Sequence, residues 1–152
     1  MHFLVFYKRK YLIAPNQMKL NQIKTIELPK ILDDRGNLSF FESNKHVPFE
    51  IKRVYWIYDV PGGDNRGGHS YYQNQELIIA LSGSFDVVLD DGFETKKYTL
   101  NRSHFGLYVP NGIWRQLENF STNSLAFIAA SHEYDENDYL RNYETFKTFK
   151  ES

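Results

Sequence analysis

The chain has 152 residues, a length suited to one domain that buries its own core. Hydrophobic residues make up 41% and charged residues 24%, as in ordinary soluble globular proteins, and a net charge of −1 argues against a general nucleic-acid binder, whose surface would be basic. The absence of cysteine excludes a disulfide framework, a thiolate nucleophile and a cysteine-ligated metal, and it suits a reducing, cytoplasmic compartment.

In chain order, the first segment is MHFLVFYKRKYLIAPNQ, residues 1–17. Lys8, Arg9 and Lys10 break its apolar run well short of the roughly 18 residues a spanning helix needs. Its positive charge follows the apolar run, the reverse of a signal peptide. We read it as an N-terminal extension or added edge strand ahead of a single domain over 18–152, and nothing else in the chain suggests a membrane. The stretch 49–60, FEIKRVYWIYDV, is rich in β-branched and aromatic residues and precedes the turn cluster PGGDNRGG. ELIIALSGSFDVVLDDG reads as two strands broken at Ser82-Gly83-Ser84 and closed by Asp91-Gly92. FETKKYTL, FGLYVP and LAFIAASH extend the series, and short strands at this spacing predict a sandwich or barrel. In YDENDYLRNYETFKTF the period changes: acidic residues lead, and Tyr139, Leu140, Tyr143 and Phe146 fall at helical spacing. That predicts an amphipathic helix closing the open side of the β-domain.

Two motifs stand on these strands. The first runs Gly63-x5-His69-x-Tyr71-x4-Glu76-x6-Gly83, and the second Pro110-x-Gly112-x2-Arg115-x3-Asn119. They resemble the two cupin motifs and predict an all-β fold, a small cupin jelly-roll barrel with a C-terminal helix. In a metal-binding cupin the four ligand positions carry three imidazoles and a carboxylate, which suit a divalent transition metal. Here they hold His69, Tyr71, Glu76 and Arg115. One imidazole has become a permanent cation, and a phenolate ligand requires deprotonating a group of pKa about 10. The expectation is therefore no metal and no cofactor.

Alternation along the strands sorts the candidates. His69 and Tyr71 share one face, as do Arg53, Tyr55 and Ile57, while Lys52, Val54, Trp56 and Tyr58 share the other. The Arg53/Tyr55 face is expected to look inward, with a break in the strand around Gln73 to Gln75. Glu76 is a carboxylate on an apolar strand and needs a partner if buried. Arg115 either pairs with Glu76 or holds an anionic or carbonyl ligand.

At RVYWIYDVPGGDNRGGHS, ELIIALSGSFDVVLDDG and GLYVPNGIWRQL the chain resembles the sugar-nucleotide 3,4-ketoisomerases, the FdtA/QdtA-type or WxcM-like proteins. The likeness spans about Ile23 to Phe149, including the DDRGNL entry and the YDENDYLRNYETF tail. It implies a homodimeric, metal-free cupin that moves the keto group of a dTDP-4-keto-6-deoxyhexose from C4 to C3. Members of the family usually show RGxHAH, so Tyr71 stands where a second histidine is expected. His69 carries over as a catalytic residue, and Arg35, Arg53, Tyr55, Arg66 and Arg115 are implied to line the substrate pocket, with Glu76 beside them. The reaction removes the C3 proton, forms an enediol and delivers a proton to C4, which needs no redox cofactor. A histidine suits that proton transfer, and arginines suit a pyrophosphate. On this reading His69 is the base and Tyr71 completes the relay. The alternatives are a non-catalytic sugar-nucleotide-binding cupin, a sugar-nucleotide 3,5-epimerase and, last, a metal-dependent cupin.

Overall fold

A computed structural model describes residues 13–152. The expected edge strand or extension falls largely on residues 1–12, outside the described residues, and Pro15–Gln17 form a single 3-10 turn. The strands are β1 (Lys24–Glu27), β2 (Lys30–Ile31), β3 (Leu38–Ser39), β4 (Arg53–Ile57), β5 (Arg66–Tyr71) and β6 (Glu76–Ser82). They continue as β7 (Phe85–Asp90), β8 (Thr95–Leu100), β9 (Phe105–Val109), β10 (Trp114–Glu118), β11 (Leu125–Ala130) and β12 (Tyr139–Leu140), before one helix, α1 (Tyr143–Glu151).

Two five-stranded antiparallel sheets, β1-β9-β6-β11-β4 and β12-β5-β10-β7-β8, carry the fold, with β2-β3 as a separate hairpin. Ile78, Leu107, Val109 and Ile128 of the first sheet meet Val87, Leu89 and Leu117 of the second in one apolar core. This is the expected all-β jelly-roll layout, two sheets whose inward residues interdigitate. Edge strand β4 of the first sheet and strand β5 of the second, flanked there by the short β12, bring five of the predicted site residues together. Along β4 the burial alternates as expected: Arg53, Tyr55 and Ile57 turn inward and Val54 and Trp56 face out, with Tyr58 just past the strand also exposed. The strand also breaks where expected, since β5 ends at Tyr71 and β6 begins at Glu76.

The tail corrects the sequence reading. Only Tyr143–Glu151 is α-helical; Asp135 caps a 3-10 turn over Glu136–Asp138, and Tyr139–Leu140 pair with β5. The reason is non-local. The Asp138 carboxylate accepts the Gln73 and Asn74 amides at 2.7 and 3.0 Å, and the Asp138 carbonyl accepts Tyr72 N–H at 3.0 Å. Those bonds hold the tail extended against β5. The helix starts only after Asn142, whose side chain accepts the Thr145 amide at 2.9 Å. Its fully buried Phe146 packs on Trp114, on the outer face of β10, so the helix covers a sheet face and not the open end of the barrel. Lys150 then ties three segments together, donating to the carbonyls of Pro15, Met18 and Gly112 at 3.2, 2.7 and 2.9 Å. Gly112 has φ +72°, and a β-carbon there would lie 2.0 Å from the Pro15 carbonyl oxygen, so the second motif needs glycine at this crossing.

Candidate active site

A cavity of roughly 400 Å³ opens between β4, β5 and the tail. Arg53 and Tyr55 reach it from β4, and Arg66, His69 and Tyr71 from β5, with Asn65 and Gly67 on the rim and Tyr134, Tyr139 and Arg141 supplied by the tail. Of the eight residues expected at the site, the structure brings five to this wall.

The other three stand elsewhere. Glu76 and Arg115 form a buried ion pair below the cavity, with Nη1 to Oε2 at 2.6 Å and side chains only 1% and 2% exposed. Arg115 donates further to the carbonyls of Pro110 and Ile113 at 3.3 and 3.0 Å. The other oxygen of Glu76 accepts the Tyr55 hydroxyl at 2.5 Å and Asn74 Nδ2 at 3.4 Å. Both carboxylate oxygens are thus engaged within the protein, and of the two expectations for Arg115 the structure shows the pairing with Glu76. Their pair fixes Tyr55 from below and sets the Arg115 guanidinium 4.8 Å from the Tyr71 ring centre. Arg35 lies on an exposed turn, bonded to Asp33 at 2.8 and 2.9 Å, away from the cavity lining. A turn aspartate two residues away satisfies it locally, which a sequence motif does not reveal.

The donor set does not fit a divalent metal. Of the four cupin ligand positions, one is a cation already neutralised by another, and among the described residues no cluster of three carboxylate, histidine or cysteine ligands forms.

His69 is the group left without partners. Its ring packs edge-on against Tyr71 at 4.8 Å and tilted against Tyr139 at 5.1 Å, yet neither ring nitrogen has a hydrogen-bond partner. Burial, helped by the neighbouring Arg115 cation, lowers its pKa to about 4. The imidazole is therefore neutral near pH 7, with a lone pair available for a proton. The phenols around it are held in the opposite sense. Burial, then the Glu76 charge, raises both Tyr55 and Tyr71 above the ordinary tyrosine value, so both remain protonated donors.

Sequence reasoning missed Tyr134, Tyr139 and Arg141. Tyr139 and Arg141 alternate across the buried Leu140, the period of a strand, but the overlapping helical spacing concealed it. Arg141 is held by Glu136 through a two-pronged pair at 2.7 and 3.0 Å, and its guanidinium carbon lies 4.1 Å from the centre of the Tyr139 ring. Tyr134 donates to the same Glu136 at 2.6 Å. The tail thus builds one wall of the cavity as a bonded unit.

Residues 21–151 match the family described as FdtA: WxcM-like, C-terminal. The chain belongs to this family. Within WxcM-like proteins, it is 41% identical over 126 residues to a TDP-4-oxo-6-deoxy-alpha-D-glucose-3,4-oxoisomerase from Aneurinibacillus thermoaerophilus, covering 83% of this chain and 91% of the relative. It is also similar to the TDP-quinovose 3,4-ketoisomerase WlaRB from Campylobacter jejuni, at 41% identity and TM-score 0.81, over 85% of this chain and 99% of that one. The structure of QdtA, a sugar 3,4-ketoisomerase from Thermoanaerobacterium thermosaccharolyticum in complex with TDP, matches at TM-score 0.85 and 34% identity, over 88% and 97% of the two chains.

Proposed function

We propose that this WxcM-like chain is a TDP-4-keto-6-deoxyglucose 3,4-ketoisomerase, as its relatives are named, working by acid–base chemistry on one cavity. The observation that carries the reading is His69: a neutral, unpartnered imidazole on the wall of a cavity that also holds three arginines. The C3 proton of the sugar is acidified by the C4 carbonyl, and a neutral imidazole takes it without a metal or a redox partner. The enediol that forms needs a nearby proton donor, and the tyrosines that line the cavity provide the candidates. Arg53 and Arg66 suit the pyrophosphate, since guanidinium groups give paired hydrogen bonds to phosphate oxygens. In this scheme His69 is the base, and Tyr71, standing where the family usually has a second histidine, packs against it at 4.8 Å.

The active unit in this proposal is a homodimer built from a single domain over 18–152, acting in the cytoplasm. Val54, Trp56 and Tyr58, which are 48%, 56% and 61% exposed on one face of β4, provide an apolar surface for a second copy. Among the described residues no helix is long and apolar enough to cross a membrane. A second reading, a sugar-nucleotide-binding cupin without turnover, is favoured by the tyrosine in place of histidine.

His69→Asn separates the two. The isomerase reading expects the variant to bind TDP as the wild type does and to lose turnover by about 10²–10⁴-fold, the usual worth of a general base. Unchanged turnover in a variant that still binds TDP would remove His69 from the chemistry.

A further inference from the structure

The tail brings to the cavity a residue that neither motif contains. Tyr139 sits directly opposite Tyr71 in the pairing of β12 with β5, and residues opposite one another on an antiparallel ladder project to the same face. Its ring centre lies 4.7 Å from that of Tyr71 and 5.1 Å from that of His69. The three rings therefore form one cluster around the unpartnered imidazole. Within it the two phenols differ in access: Tyr71 is 1% exposed, whereas Tyr139 is half-buried and opens on the cavity. A proton donor to carbon must touch the substrate, and Tyr139 is the phenol with surface to do so.

Resting on the isomerase reading above, we propose that Tyr139 is the catalytic residue that delivers the proton to C4, and that Tyr71 is a positioning residue acting through it. The steps close without a further reactant. His69 takes the C3 proton, the C3–H electron pair becomes the C3=C4 double bond, and the C4 carbonyl oxygen receives that proton from the imidazolium, giving the enediol. The C3 hydroxyl then becomes the ketone as the double-bond pair takes the Tyr139 proton onto C4. The Tyr139 phenolate recovers its proton from the former C3 hydroxyl, and both residues return to their starting forms.

Two arginines stand on the Tyr139 side of the cavity. Arg141 lies over the Tyr139 ring at 4.1 Å, and Arg53 lines the same cavity. Both cations are in place before the reaction, so they stabilise developing charge without reorganising. The replacement of the family's second histidine by Tyr71 then has a consistent role: a bulky, fully buried ring that packs Tyr139 against His69.

The test uses the full-length protein with TDP-4-keto-6-deoxyglucose in D₂O, following deuterium at C3 of the substrate and the yield of 3-keto product by NMR. TDP affinity is measured alongside. Tyr139→Phe should keep TDP affinity and C3 exchange near the wild-type rates while product formation falls about 10²–10⁴-fold, because enediol forms but C4 is not protonated. Tyr71→Phe should retain the ring packing and lose product formation by less than Tyr139→Phe does. Product formation by Tyr139→Phe at the wild-type rate overturns the assignment. So does a parallel fall in exchange and product, which places Tyr139 before the enediol, and so does lost TDP affinity, which makes its role structural. Wild-type protein that binds TDP but neither exchanges nor converts the sugar instead overturns the isomerase reading itself.

Discussion

Glu76 and Arg115 show what a single strand position can do. In the barrel of a metal-binding cupin these two places would hold ligands; here they hold each other at 2.6 Å, under the residues that face the cavity. A buried pair of this kind contributes little net stability, but it fixes geometry, because a lone buried charge on either side is costly. At His69 the two charges act in opposite senses: burial, helped by Arg115, keeps the imidazole neutral, and Glu76 partly opposes it. The sign of the resulting pH dependence follows. A base must be unprotonated, and a folded-state pKa of about 4 keeps His69 so throughout the range in which an ordinary histidine gains its proton. We expect kcat/KM, corrected for the folded fraction by circular dichroism, to stay flat as pH falls through 6.5 and to decline only toward pH 4. An acidic limb centred near 6.5 would mean that the base is a group other than His69 in this setting.

At the scale of elements, the tail is the piece that completes the site. Strand β12 is two residues long, too short to persist on its own ladder bonds, and Asp138 anchors it. The carboxylate satisfies two backbone amides at the turn between β5 and β6. Asp138→Ala leaves those amides without an acceptor, a loss of about 1–3 kcal/mol in stability by urea unfolding. Because Tyr139 is the next residue, kcat should fall as well, with TDP affinity changed less than turnover. A variant that loses stability with kcat intact would show that the site tolerates a loose tail.

The tail also marks the limit of what the sequence discloses. Tyr139, Leu140, Tyr143 and Phe146 satisfy a helical period, and only Tyr143 and Phe146 belong to the helix. The decision is made by Gln73 and Asn74, about 65 residues earlier in the chain, so no local pattern around Tyr139 contains it. Elsewhere the local signals and the fold agree. The β-branched and aromatic runs, the glycine turns and the alternation that turned Arg53 and Tyr55 inward all follow from short-range rules. The site was legible where a strand and its face decide the matter, at Arg53, Tyr55, Arg66, His69 and Tyr71. It was illegible where a charge had two suitors. Whether Arg115 meets a ligand or Glu76, and whether Arg35 meets a ligand or Asp33, depends on tertiary placement.

For the whole molecule, the two sheets form a rigid support whose inward residues are mostly apolar, with polar chemistry gathered at the end where β4, β5 and the tail converge. That arrangement holds a neutral base, two protonated phenols and several guanidinium groups in fixed relation before any ligand arrives. Such a site is built to move protons on an anionic substrate. The most direct measurement is to incubate the wild-type protein with TDP-4-keto-6-deoxyglucose in D₂O and follow the sugar by proton NMR. We expect a 3-keto product carrying deuterium at C4. Recovery of unexchanged 4-keto sugar, from protein shown to bind TDP, would contradict the account and leave a binding cupin in its place.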